Sequence, residues 1–246
     1  MTPFERREAF HLLFFAAFAD RFQGREYALK GGVCLRFYHR SPRLSEDIDM
    51  DIGNISLGTL QKGVEGIIHR SSFRASMEQL GVAGVTLRTA KATDTTQRWI
   101  LSLEMGGDAP SIVTRLECSR RRSEIPFAQD VPAADLLARY SYRPFSGQFY
   151  AMEEMVFQKT DALAAVRRHA LRDLFDLDLL LTHGGVVWPA HLKRVTRQAA
   201  AKKVISMTWA EFQSDVLPYL SDESRPAFHH REAFDRLVER VTRALT

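Results

Sequence analysis

The chain has 246 residues, 45% of them hydrophobic and 26% charged, a balance that excludes a disordered or fibrous polypeptide and leaves room for one large domain or two small ones. A formal net charge of +4 permits a nucleic-acid partner but is too small to identify one. Cys34 and Cys118 stand in apolar surroundings with no paired spacing, which predicts buried free thiols in a reducing, cytoplasmic compartment.

The N-terminal run from Phe10 to Ala19 is apolar enough to imitate the core of a secretion signal. It is too short to span a bilayer, Glu5 and Glu8 precede it and Asp20-Arg21 follow, so the sequence predicts a buried helix over 3–21 and no membrane segment. Residues 26–29 read as a short strand entering a Gly31-Gly32 turn, and 33–38 as a short helix that Pro42 prevents from continuing. A strand over 47–52 and a helix over 57–80 follow, the helix interrupted in periodicity by Gly63 and Gly66. Strands are predicted over 84–89, 98–105 and 111–119, the last two joined as a hairpin by Gly106-Gly107-Asp108-Ala109-Pro110. From Met152 the apolar spacing becomes helical, breaks near His169 and stops at Gly184-Gly185. Further helices are predicted from Pro189 to about 203, around Trp209 to Phe212, and over 227–245. The composition shift at Pro144-Phe145-Ser146-Gly147 divides the chain into parts 1–147 and 148–246.

Strand side chains alternate between faces, so Asp47, Asp49 and Asp51 project from one side of their strand and Ile48, Met50 and Ile52 from the other. Crowded carboxylates repel one another, and a divalent cation with a preference for hard oxygen ligands, Mg2+ or Mn2+, is what keeps such a group ionised. The Gly31-Gly32 turn offers unobstructed backbone N–H groups at a helix start, where a polyphosphate sits well. A phosphate cradle followed closely by a metal-binding strand describes metal-assisted nucleotidyl transfer. In the later hairpin strand, Val113, Arg115 and Glu117 share a face, so Glu117 is placed to supply a third carboxylate, with Glu104 as the alternative. A surface pair with Arg115 or Arg120 is the bland reading of Glu117. Lys30 and Arg36 flank the turn, and Arg40 and Arg43 precede the acidic strand; any of them could meet phosphates.

These segments resemble a known family. Lys30-Gly31-Gly32, a short apolar helix, and then Arg43-Leu44-Ser45-Glu46-Asp47-Ile48-Asp49 are similar to the AbiEii/AbiGii-type nucleotidyltransferases, toxin halves of bacterial toxin–antitoxin and phage-defence operons within the polymerase-beta-like nucleotidyltransferase superfamily. Glu153-Glu154-Met155-Val156-Phe157-Gln158-Lys159 and Arg172-Asp173-Leu174-Phe175-Asp176-Leu177 resemble the family's later motifs. The resemblance implies an α+β nucleotidyltransferase fold, a mixed sheet with flanking helices, followed by a helical C-terminal part that completes the active-site cleft. It implies Asp47 and Asp49 as metal ligands with Glu117 as the third, helping to deprotonate the attacking hydroxyl. Lys30, Gly31, Gly32, Arg36 and Lys159 are then nucleotide-binding, and Asp173 or Asp176 completes the catalytic wall.

The implied reaction moves a nucleoside monophosphate from an NTP to an acceptor hydroxyl with Mg2+ or Mn2+, the acceptor being RNA and foremost a tRNA 3' end, in a toxin with a cognate antitoxin encoded nearby. The residues leave other readings open. Lys159 can pair with Glu154 or Asp161 on its own helix. The basic groups Arg120-Arg121-Arg122 and Lys193, Arg194, Arg197, Lys202 and Lys203 are either an RNA surface or a solvated face. A catalytically silent nucleotide- or RNA-binding module, or a small-molecule transferase resembling aminoglycoside-modifying enzymes, would share the first motif.

Overall fold

The structure is a computed structural model, described for residues 1–166, 170–183 and 188–246. The helix interruption at His169 and the stop at Gly184-Gly185 lie outside the described residues. The chain divides into two units, Met1–Tyr38 with Ser45–Tyr150, and His39–Leu44 with Ala151–Thr246. The second unit thus takes a six-residue segment that a contiguous division at 147 leaves in the first.

In the first unit, α1 (Pro3–Arg21) begins at a capping box in which the Thr2 hydroxyl accepts from the Glu5 N–H and the Glu5 carboxylate accepts from the Thr2 N–H. Phe10, Leu12, Phe14, Phe15 and Phe18 of this helix are wholly buried, each such side chain contributing about 1.5–3 kcal/mol of burial. The elements β1 (Tyr27–Lys30), α2 (Gly31–Tyr38) and β2 (Asp47–Ile52) follow. The predicted single helix over 57–80 is two, α3 (Leu57–His69) and α4 (Ser71–Gln79). The break falls at Arg70, whose extended backbone caps one helix and starts the next, rather than at the glycines. Gly63 instead serves packing, since a Cβ there would lie 2.3 Å from the Phe22 ring.

Strands β3 (Val82–Thr93), β4 (Thr96–Met105) and β5 (Ile112–Ser119) form an antiparallel meander, with β3 longer than its apolar pattern suggests because it stays paired to β4 past a register shift between Thr89 and Lys91. The short β6 (Ala128–Asp130), α5 (Ala134–Arg139) and β7 (Gly147–Phe149) are additional to the sequence-based elements. Together the strands make one mixed sheet in the order β3-β4-β5-β2-β1-β7-β6. β2 runs antiparallel to β1 and parallel to β5. One face of the sheet centre carries Leu29, Met50, Cys118, Ile48, Leu116 and Trp99, all buried, and α1 reaches this face through His11, which pairs with the Thr114 hydroxyl at 2.8 Å. The opposite face carries the acidic residues of β2.

The second unit is helical: α6 (Met152–Ala164), α7 (Leu171–Thr182), α8 (Arg194–Ile205), α9 (Trp209–Asp215), a 3-10 turn at Leu217–Tyr219, α10 (Arg225–Phe228) and α11 (Arg231–Leu245). Pro189 does not open α8. It sits in a turn closed by the Leu192 N–H donating to the Pro189 carbonyl at 2.9 Å, and the helix starts after Lys193. α6 packs on α7 and α8, and α11 covers α7 and α8 with Phe234, Leu237, Val241 and Leu245. The segment His39–Leu44 is pinned here by backbone bonds, Leu44 N–H to the Tyr219 carbonyl at 2.7 Å and Ser221 N–H to the Pro42 carbonyl at 3.1 Å. Among the described residues no helix is long and apolar enough to cross a membrane.

Candidate functional site

Strand register assembles the first cluster. Lys30 of β1 lies opposite Asp49 of β2, Asp49 opposite Glu117 of β5, and Glu117 opposite Arg98 of β4. A row across four strands therefore reads cation, carboxylate, carboxylate, cation, all on one face. Below it, Asp47 is opposite Arg115, and above it Asp51 is opposite Ser119. Two adjacent carboxylates on neighbouring strands repel unless a positive charge is shared between them.

The arginines answer that repulsion in part. Arg115 donates two hydrogen bonds to the two oxygens of Asp47, and Arg98 donates two to Oε2 of Glu117, at 2.8 and 2.5 Å. The partner of Glu117 is thus Arg98 rather than Arg115 or Arg120. Arg120 turns to the Gln97 side chain and the Ile55 carbonyl. Both carboxylate–arginine pairs are solvent-accessible, with 53% and 25% of the Arg115 and Asp47 side chains exposed, so each is worth only about 0.2–1 kcal/mol. Asp51 is buried deeper, accepting from Lys30 Nζ at 2.5 Å and from the Tyr150 hydroxyl at 2.7 Å, with Arg122 at 3.9 Å. Lys30 therefore leans along the strand onto Asp51. Arg36, on α2, is turned to the buried Glu8 of α1 at 2.5 Å, a carboxylate that also accepts from the Tyr140 hydroxyl.

Gly31 opens α2 with φ +69, a conformation side chains disfavour, and a Cβ built there would lie 3.0 Å from Oδ2 of Asp49. Backbone and carboxylate thus approach as closely as glycine alone allows, and Gly32 follows in the first turn, where helix N–H groups lack intrahelical acceptors. As the side chains now stand, no group of three or more His, Cys, Asp or Glu among the described residues is arranged to hold a metal ion. The donor set nonetheless fits a divalent cation. Asp47 and Asp49 are hard oxygen ligands on one face, Glu117 stands in register beside Asp49, and the pair that occupies Asp47 is exposed and weak.

The second cluster lies wholly within the helical unit. Lys159 of α6 pairs with Asp173 at 2.8 Å and Asp176 at 2.7 Å, both on α7, and not with Glu154 or Asp161. Arg43 grips Asp176 with its guanidinium fork, Nε to Oδ1 at 2.8 Å and Nη2 to Oδ2 at 2.7 Å. All four side chains are nearly or fully buried. Burial alone would raise the Asp176 carboxyl, but the Arg43 and then the Lys159 charge overcome it and hold it at about 2. Burial alone would likewise lower the Lys159 ammonium, and Asp173 and Asp176 outweigh it, so Lys159 stays charged. Arg43, 133 residues before Asp176 in the chain, carries no sequence signal for this pairing.

Of the basic groups on and capping α8, Lys193, Arg194 and Lys202 are exposed, Lys203 donates to the carbonyl of Ala165, the residue capping α6, and Arg197 lies over the Trp188 ring at 5.3 Å. The His191 ring lies tilted against the Phe157 ring, with centroids 4.5 Å apart.

The comparisons agree with the fold. Two crystal structures share it across the chain: JHP933 from Helicobacter pylori, 18% identical with a TM-score of 0.59, covering 100% of this chain and 94% of that one, and a protein described as a candidate nucleotidyltransferase from H. pylori, 18% identical with a TM-score of 0.57, covering 97% and 94%. Among curated proteins no similar sequence is found. The family model for the nucleotidyl transferase AbiEii toxin of type IV toxin–antitoxin systems matches residues 12–240, nearly the whole chain. With its glycine turn set against a carboxylate strand, this chain belongs to the AbiEii nucleotidyltransferase toxin family.

Proposed function

We infer that this nucleotidyltransferase moves a nucleoside monophosphate from an NTP to a hydroxyl of an RNA acceptor, with the tRNA 3' end the first to assay, and that it does so with a divalent cation held by Asp47 and Asp49. The observation that carries the reading is the approach of Gly31 to Asp49, a Cβ built on Gly31 lying 3.0 Å from Asp49 Oδ2, which sets the start of α2 against a carboxylate suited to a divalent cation. A bound Mg2+ or Mn2+ would neutralise the triphosphate and stabilise charge on the attacking and leaving oxygens.

The chain's own residues supply the rest. Gly31 and Gly32 hold phosphate oxygens with backbone N–H groups, and Lys30, on the same turn, adds a positive charge. Arg98 holds Oε2 of Glu117, which leaves Oε1 to accept the proton of the attacking hydroxyl. Arg115, once Asp47 turns to a cation, is a mobile exposed guanidinium suited to a phosphate. Lys159 supplies a further cation to the triphosphate, with Asp173 and Asp176 fixing its position. Cys34 and Cys118, buried and outside any disulfide, the latter thiol pushed up by burial, suit a reducing, cytoplasmic compartment, and the family implies a cognate antitoxin.

The test is incubation with each labelled triphosphate, Mg2+ and total RNA, following label into RNA and protein separately. Label in RNA that disappears with Asp49→Ala is the expected result. A second reading, a silent binding module, is favoured by the arginines that already neutralise Asp47 and Glu117. It predicts nucleotide binding with no transfer to any acceptor.

A further inference from the structure

Beyond Glu117 the exposed face of the sheet is basic. The register row of Lys30, Asp49, Glu117 and Arg98 runs on to Lys91 of β3, and the row beside it joins Asp47, Arg115, Ile100 and Arg88. Arg115, Arg98, Arg88 and Lys91 thus stand together on β5, β4 and β3. Arg88 and Lys91 are exposed, and neither makes a hydrogen bond or ion pair among the described residues.

Arg88 and Lys91 are three residues apart, so strict alternation would set them on opposite faces. The register shift between Thr89 and Lys91 absorbs Ala90 and brings both onto the carboxylate face. It also sets Lys91 directly opposite Arg98, and like charges so placed in a sheet destabilise it. The fold therefore keeps an irregularity and a repulsion whose joint effect is to extend a cationic surface outward from Glu117. Asp94, in the turn between β3 and β4, and Glu104, opposite Gly84, bound this surface at its two ends.

The order of groups across the strands matches the order of an in-line transfer. In the reading above, the triphosphate lies at Gly31 and Gly32 beside Lys30, and Glu117 is the base. As the acceptor oxygen bonds to the α-phosphorus, its proton passes to Glu117 and pyrophosphate departs on the opposite side. The acceptor chain therefore comes in over β5, β4 and β3. With strands about 4.8 Å apart, Arg98 and Lys91 stand one and two steps beyond Glu117, where the first phosphates behind a terminal hydroxyl belong. None of the side chains in these two rows is aromatic. That favours contact with phosphates over base stacking, and over the aromatic anchors on which protein partners rely.

We propose that the face of β3, β4 and β5, through Arg88, Lys91 and Arg98, is the surface on which the backbone of the RNA acceptor lies, holding the phosphates next to the reacting hydroxyl without reading base sequence. The proposal rests on the reading of the chain as a nucleotidyltransferase that acts on RNA, with Glu117 as its base.

The experiment follows transfer from labelled NTP to total RNA by the full chain across a salt series, with binding of a non-hydrolysable NTP analogue measured in parallel. Three double variants are compared: Arg88→Gln with Lys91→Gln, Arg88→Lys with Lys91→Arg, and Lys62→Gln with Arg74→Gln. The last removes the same charge from exposed positions on α3 and α4. The first should raise the apparent KM for RNA on the order of tenfold and flatten its salt dependence by about 0.7–0.9 of log-log slope per lost contact, while affinity for the analogue holds. The second keeps both charges and should recover most of the loss, and the third should match the wild type. Lys91→Gln alone should unfold no lower in temperature than the wild type, because it relieves the opposed cations, so a rise in KM is not damage to the fold. Unchanged KM and slope in the first variant overturn the proposal, as does an equal rise in the third, which would mean that only net charge matters. A wild-type chain that labels protein alone, or no acceptor, overturns the underlying reading and the proposal with it.

Discussion

Both units carry an array of opposite charges, and the two arrays differ in what surrounds them. On the sheet face, Asp47 and Glu117 hold arginines that water also reaches, so each pair is weak and exchangeable. In the helical unit, Arg43, Asp176, Lys159 and Asp173 are withdrawn from water, and breaking one pair leaves an uncompensated buried charge at a cost of about 3–5 kcal/mol. The same residue types thus serve as replaceable ligands in one place and as a fixed frame in the other. The difference lies in desolvation rather than in the chemistry of the ion pairs.

The largest expected effect is on turnover. Asp49→Ala should abolish nucleotide transfer while leaving the unfolding temperature unchanged or slightly raised, because relief of carboxylate repulsion seldom destabilises. Near-normal turnover by this variant would remove the sheet face from the active site. Stability separates the two arrays next. Asp176→Asn should lose about 3–5 kcal/mol in denaturant unfolding, whereas Asp47→Asn should lose less than about 1 kcal/mol. Equal losses would erase the distinction between exchangeable and fixed pairs.

Acid should sharpen it further. Asp176 titrates at about 2 in the folded chain against an ordinary 3.8, so its contribution is complete above pH 3.8 and is lost as pH falls towards 2. His11, buried beside Thr114, is pushed down by that burial from 6.5 to about 3. Its folded form binds fewer protons than the unfolded one, so its contribution is complete above pH 6.5 and is lost as pH falls to 3. Hydrogen exchange across a pH series should therefore show protection in α1 and β5 weakening at a higher pH than protection in α6 and α7. A reversed order would contradict the assignment.

Smaller still is the effect of Arg115→Gln. Removing an exposed competitor for Asp47 should tighten Mn2+ binding, measured by titration calorimetry, by no more than about fivefold, the equivalent of roughly 1 kcal/mol. A weaker-binding variant would mean that Arg115 assists the cation instead. Last, if α8 meets RNA, neutralising the exposed Lys193, Arg194 and Lys202 should flatten the salt dependence of RNA binding by close to one unit of log-log slope per lost contact. An unchanged slope would make α8 a solvated face.

The exposed array was far more legible in the sequence than the buried one. Period-two alternation put Asp47, Asp49 and Asp51 on one face, and the hairpin glycines fixed β4 and β5, so the neighbourhood of Glu117 followed from local pattern. What pattern could not supply was partner choice. The Arg98–Glu117 pair depends on hairpin register, and the grip of Arg43 on Asp176 depends on a chain excursion with no periodicity of its own. The three-residue strands β6 and β7 escaped notice for a related reason. They are too short to show alternation, and β7 is held by packing, with the Phe149 and Tyr38 rings stacked at 3.7 Å. The glycine at 63 proved to be a packing requirement of Phe22, the one at Gly66 has open space beside it, and the real break at Arg70 has no breaker residue.

Gly31 offers a way to sort related chains. An aspartate pair can persist in a descendant that no longer reacts, so intact acidic residues are a poor mark of activity. Gly31 is under two restraints at once, a left-handed backbone and a 3.0 Å clearance to Asp49 that a methyl group would consume. Any other amino acid at this position would have to move the turn or the carboxylate, and either movement would separate the helix start from the carboxylate on which the proposed phosphate and cation contacts depend. A relative that keeps both aspartates but has lost this glycine is the one to suspect of having become a binding protein.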